Sequence, residues 1–214
     1  MKKTRLLILL FVLNLLIFTG CSAQESKDQN KVYDISIESA IVLSHNTVKS
    51  AGGNVVYVNI EMTSGQYAFD ELPGAFQGNN WSGQYQIRIY EDESEFNNPV
   101  YLAPIFIDDS QVMNFKGEFS LVFDDYNQDN NPDFTLGQFL SSNGYAYALF
   151  TINETGVVNK LDTDGLLFSS EQDYSIQLEK MPPVSFRTSS YDNRIGETVE
   201  RIYQWKDTAF ILEE

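Results

Sequence analysis

The chain has 214 residues and carries 30 acidic against 14 basic side chains, a net charge of −16. That imbalance excludes a nucleic-acid partner, whose phosphates the protein would repel, and a surface held to anionic lipid by basic patches. A single cysteine excludes an intrachain disulfide, so the core has to come from packing.

The first 21 residues read "MKKTRLLILLFVLNLLIFTGC". Lys2, Lys3 and Arg5 form a basic head, and Leu6 to Phe18 form an apolar run broken only by Asn14. This order is that of an export signal rather than of a fold element. The run falls short of the roughly 20 residues that a membrane-spanning helix needs. Its end, "FTGC", resembles the lipobox of bacterial lipoproteins, in which the Cys after a small residue is lipidated and becomes the mature N-terminus. Gly20 fits the position before the Cys, whereas Phe18 departs from the Leu usual three residues ahead of it. The resemblance implies a lipid on Cys21, which anchors the protein to the outer face of a bacterial membrane or cell envelope. An ordinary signal-peptidase cut in Cys21-Ser22-Ala23 is the plainer alternative. Loss of residues 1–20 removes three basic residues and no acidic one, leaving the mature chain still more acidic.

Residues 21–31 continue from that Cys into "SAQESKDQNK", a polar run without aromatics that reads as a flexible tether. Residues 32–214 are then near the usual size of a single domain. No internal linker or repeat of fixed period divides them. This domain reads as strands: "VYDISIESAIVL", "NVVYVNIEM", "QYQIRIYED", "PVYLAPIFI", "GEFSLVF", "YAYALFTIN", "YSIQLEK" and "ERIYQWKDTAFILEE" are rich in Val, Ile, Tyr, Phe and Thr. In "QYQIRIY" the apolar Tyr85, Ile87 and Ile89 alternate with Gln84, Gln86 and Arg88, the mark of a half-buried strand. Asp164-Gly165 in "DTDG" suits the positive φ of a tight hairpin. Trp205 and Phe210 bracket a polar Lys206-Asp207 turn and predict a closing hairpin. "GQFLSSNG" is the one stretch with room for a helical turn. The expected fold is all-β, an antiparallel β-sandwich or a partly closed barrel. Most of the 12 Tyr and 15 Phe then fill its core. An exposed sugar platform around Tyr85, Tyr90 and Trp81 is the competing use for some of them.

The densest chemistry lies in "DDYNQDNNPDF", where Asp125, Asn127, Asp129, Asn131 and Asp133 place an oxygen-bearing side chain on every second residue. Calcium takes six to eight oxygens at about 2.3–2.6 Å, and a short loop can supply them when alternate side chains converge. Counting Asp125 as position one, Asn130 falls at the sharp sixth place usually held by Gly, and Asn tolerates the left-handed conformation better than most residues. An EF-hand also needs an acid at position twelve, which here is Leu136, and its flanks are helices rather than the strand-like runs seen here. The stretch resembles the calcium loops of FG-GAP and integrin-type repeats, Asp-x-Asp/Asn-x-Asp-Gly-x-x-Asp and a hydrophobic residue, with Asn130 in place of the Gly. The resemblance implies a structural calcium ion held by these five residues. A plain Asx-rich turn that hydrogen-bonds its own backbone is the alternative. "YEDESEF" reads as a solvated charge run.

No nucleophile–base constellation is legible. His45 is the only histidine and sits in an expected loop, Cys21 belongs to the signal, and no Gly-x-Ser-x-Gly, His-Glu-x-x-His or phosphate-cradling glycine loop occurs. The expectation is therefore a non-enzymatic binding or interaction module facing an envelope protein or glycan. The alternative is an envelope polysaccharide hydrolase acting through paired Asp/Glu carboxylates.

Overall fold

A computed structural model describes residues 32–35 and 40–213. The expected signal segment, Cys21 and the tether lie outside the described residues. Among the described residues no helix is long and apolar enough to cross a membrane. The protein is all-β, with three antiparallel sheets, none of which closes into a barrel.

The first sheet contains β1 (Tyr33–Ile35), β2 (Ile41–Lys49), β3 (Val55–Asp70), β4 (Gly78–Tyr90), β5 (Tyr101–Ile105) and β6 (Met113–Phe115). Its spine is the long β3–β4 hairpin, in which Ile60 pairs with Ile87 and Tyr67 with Trp81. A register shift between Met62 and Ser64 bends this hairpin. Beyond the bend Gly65 faces Gly83, and a Cβ on Gly83 would lie 2.0 Å from the Ser64 carbonyl oxygen. Tyr85, Ile87 and Ile89 are buried, as their alternation predicts. Tyr90 is buried as well, and Trp81 packs partly buried against the core, so these rings take the structural role rather than the competing one of a sugar platform.

The opposite face of β3 carries a buried polar strip. Glu61 is fully buried, and there it takes Arg88 Nε at 2.9 Å on one oxygen and Gln86 Nε2 at 2.8 Å on the other. His45 lies in β2 rather than in a loop, with its Nδ1 2.7 Å from Asn59 Oδ1.

The second sheet contains β7 (Phe123–Asp124), β8 (Asp133–Ser141), β9 (Gly144–Ile152), β10 (Val158–Leu161) and β11 (Leu167–Ser169). Every residue of β9 is buried. Ala148, Phe150 and Ile152 join the first sheet in one core, against Val58, Ile60 and Ile87. Tyr145, Tyr147 and Leu149 point the other way, into a second core with Leu167. A strand buried on both faces reads as a continuous apolar run, which "YAYALFTI" is.

The third sheet contains β12 (Glu179–Met181), β13 (Ser185–Asp192), β14 (Glu197–Lys206) and β15 (Ala209–Leu212). It closes the second core with Phe186, Tyr203 and Phe210, so the sandwich has three layers with the second sheet in the middle. Each large apolar side chain buried this way contributes about 1.5–3 kcal/mol. The final hairpin forms as the sequence suggests: Trp205 pairs with Phe210, Lys206 with Ala209, and Asp207 takes a φ of +57° in the turn.

Four local expectations give way. "GQFLSSNG" makes no helical turn, because residues 137–141 finish β8 and turn directly into β9. "DTDG" makes no hairpin, although Asp164 and Gly165 both take positive φ. The strands on either side of it, β10 and β11, pair antiparallel to successive parts of β9, so residues 162–166 interrupt one ribbon. That excursion reaches the third sheet, where Asp162 accepts a backbone hydrogen bond from Phe210 at 2.8 Å. "GEFSLVF" supplies only the first residue of β7, and "YSIQLEK" only the beginning of β12.

Candidate metal centre

The five oxygen-bearing residues lie on the turn from β7 into β8, with Asp133 as the first residue of β8. Their local order comes from Asx chemistry: short polar side chains reach the backbone amides that a tight loop leaves unpaired. Asp129 N donates to both Asp125 Oδ1, at 3.1 Å, and Asn127 Oδ1, at 3.2 Å. Asn130 N donates to Asp125 Oδ2 at 3.0 Å, and Asn131 N to Asp129 Oδ1 at 2.8 Å. Asn127 Nδ2 donates to Asp129 Oδ2 at 3.0 Å. Two residues carry the reversal, Gln128 at φ +62° and Asn130 at φ +66°. The side chains of Asp125, Asn127 and Asp129 are therefore knitted together, with Asn127 buried and Asp129 exposed. Asn131 adds only its backbone amide to this set of bonds.

Asp133 differs from the other four. It is fully buried, on the side of the second sheet that faces the third. One oxygen, Oδ2, accepts the Tyr126 amide at 2.9 Å, and the other, Oδ1, has no hydrogen-bond partner. Thr151 is its cross-strand neighbour, and the Thr151 hydroxyl is also buried without a bonded partner. Burial pushes the Asp133 carboxyl up to about 7, and the charges of Asp129 and Asp125 push the same way, against the Tyr126 amide and the nearby Thr151 hydroxyl. An unpartnered buried carboxylate costs several kcal/mol unless it is neutralised or paired.

The loop is also a joint between layers. Tyr126, between two of the oxygen-bearing residues, is buried in the second core beside Phe186, and its hydroxyl accepts the Leu178 amide at 3.0 Å. Gln128 Nε2 reaches the Pro183 carbonyl at 3.4 Å. Asp124 lies beside the set but outside it, bonded to Lys180 Nζ and Gln177 Nε2. Burial opposes its charge, yet the bonds from Lys180, the Asp125 amide and Gln177 outweigh that and hold its carboxyl below the ordinary range. Reading position by position misses Tyr126 and Lys180. Tyr126 stands at an even place in an odd-numbered pattern, and Lys180 is remote in sequence.

Among the described residues no three His, Cys, Asp or Glu side chains stand close enough together to hold a metal ion unaided. Closure around a cation would draw on the amide oxygens of Asn127 and Asn131 as well, and would replace the Asn127–Asp129 bond. Such a donor set, all oxygen and carrying three carboxylates, suits a hard cation of calcium's size.

Fold and loop together define an all-β protein of three antiparallel sheets with an acidic turn at a layer junction. Compared with known proteins, the chain matches no family model, no curated protein and no solved structure. The likeness to FG-GAP loops thus rests on the residues of the turn alone.

Proposed function

We propose that this protein is an extracytoplasmic binding module, tethered to the bacterial envelope by lipid on Cys21, whose Asp125–Asp133 turn is completed by a structural calcium ion. The observation that carries the calcium reading is Asp133. It is a fully buried carboxylate with one oxygen unpartnered, within electrostatic reach of Asp129 and Asp125. A divalent cation relieves all three charges at once, where a proton relieves one. The anchor rests on the order of basic head, apolar run and "FTGC" at the N-terminus.

The test is a calcium titration of thermal stability on the mature chain. Calcium at 100 times its Kd adds about 2.7 kcal/mol, which raises the melting temperature of a domain this size by roughly 5–10 °C. Asp129→Ala abolishes the rise. An unchanged melting temperature at millimolar calcium overturns the metal reading. Mass spectrometry of the mature N-terminus checks the anchor, expecting a diacylglycerol adduct on Cys21, and an unmodified N-terminus overturns it.

A further inference from the structure

At the other end of β8 from the acidic turn, roughly 26 Å along the strand, lies a concavity of a different character. It holds about 280 Å³ between the β8–β9 turn, β11 and the distal end of the β13–β14 hairpin. Tyr145 and Phe168 line it, and Tyr191, which is 44% exposed, stands at its edge.

Its charge sets it apart. In a chain of net −16, the acidic and basic residues lining this hollow are Asp192, Arg194 and Arg201, a local excess of one positive charge. Arg194 is already engaged, with Nη2 at 2.8 Å and Nε at 3.2 Å from the two oxygens of Asp192. Arg201 is not. Among the described residues Arg88, Arg187 and Arg194 each hold a carboxylate, whereas Arg201 makes no ion pair and gives a single hydrogen bond, from Nη1 to Ser190 Oγ at 2.7 Å. Arg201 is the cross-strand partner of Thr188 and, two residues before Tyr203 along β14, shares its face of the strand. It therefore stands on the inward face of the third sheet, at the rim of the second core. A guanidinium placed there has a planar fork of donors that matches a carboxylate.

We infer that this concavity binds a carboxylate-bearing sugar, a hexuronate unit of an acidic glycan. The Arg201 guanidinium takes the carboxylate, the Tyr191 ring covers a face of the pyranose, and the Asn143 and Asn193 amides meet its hydroxyls. The acidic remainder of the surface repels a polyanion, which confines contact to a short segment at this one positive hollow. The inference rests on the reading of the protein as a binding module and is independent of the calcium turn.

The experiment titrates the mature chain with trigalacturonate and with its neutral counterpart, galactotriose, following amide resonances and heats of binding, with and without calcium. Trigalacturonate is expected to shift residues 141–145 and 190–201 and to bind at least about tenfold tighter than the neutral sugar. Arg201→Gln removes that preference at unchanged melting temperature. Arg201→Lys, which keeps the charge and loses the fork, retains part of it, and Tyr191→Ala weakens both sugars together. Equal binding of the two sugars, undiminished binding by Arg201→Gln, or preferential binding of an acidic peptide over trigalacturonate overturns the inference. Should Arg201→Gln fail to fold, the Lys and Tyr191 variants decide by the same criteria. Trigalacturonate binding is expected to be the same with and without calcium, so the metal reading fails separately, by an unchanged melting temperature at millimolar calcium.

Discussion

Glu61 and Asp133 are both fully buried carboxylates on sheets of the same protein, and the fold treats them in opposite ways. Glu61 has a guanidinium on one oxygen and an amide on the other, both from β4 immediately across the sheet. Asp133 has one backbone amide, one bare oxygen and two acidic neighbours. The first site is complete as folded. The second leaves one oxygen unpaired, and burial there favours the protonated carboxyl.

The largest effect separating the two sites is expected from Arg88→Met. It strands the Glu61 charge in the sheet and costs about 3–5 kcal/mol by denaturant unfolding. Calcium leaves that loss unchanged. A loss below about 1 kcal/mol would erase the contrast.

Asp133→Asn comes next, and its sign depends on the metal. Between an ordinary Asp value of 3.8 and about 7, the folded calcium-free chain keeps a proton on Asp133 that the unfolded chain has lost. Stability contributed by that protonation is full below the unfolded value and lost as pH rises to about 7, on the order of 2–4 kcal/mol. Asp133→Asn removes this slope and stabilises the calcium-free protein at about pH 8. With saturating calcium the same substitution destabilises it. Denaturant curves at several pH values in chelator and in calcium read both signs, and one sign under both conditions sinks the idea.

Gln86→Met removes the donor from the second Glu61 oxygen and costs about 1–2 kcal/mol. Asn130→Gly, at φ +66°, is the mildest change, a gain below about 1 kcal/mol. In calcium titrations it leaves the midpoint within a factor of a few, and a larger shift would mean that the Asn130 side chain itself is a ligand.

Much of this architecture is legible one residue at a time. "QYQIRIY" alternates because one face meets the core, and "WKDTAF" closes on itself because its turn residues and its aromatic pair agree. What escapes is held by partners far away in sequence. Residues 117–122 read as a strand, yet they join no ladder: one amide finds the Leu43 carbonyl of β2, and two others go to the side-chain oxygens Asn46 Oδ1 and Ser175 Oγ. Ile176 N goes to Thr135 Oγ1 in the same manner, so Ser175, Ile176 and Leu178 are buried without joining a ladder. The strand at Gly137 depends on the Tyr147 ring, since a Cβ there would lie 2.3 Å from Cε1 of that ring. In the turn, the alternation of Asp and Asn is visible in the sequence, but the burial of Asp133 is not, because it comes from β9 and the third sheet closing over it.

The strand β9 turns Ala148, Phe150 and Ile152 toward one neighbouring sheet and Tyr145, Tyr147 and Leu149 toward the other. A slip of one residue would leave both sides equally greasy, so polarity gives no protection against it. What forbids the slip is volume: phenol rings would have to enter slots cut for methyl groups. Alignment of the central ribbon is thus written in bulk rather than in wetness, and Ala148→Tyr would misplace two layers at once.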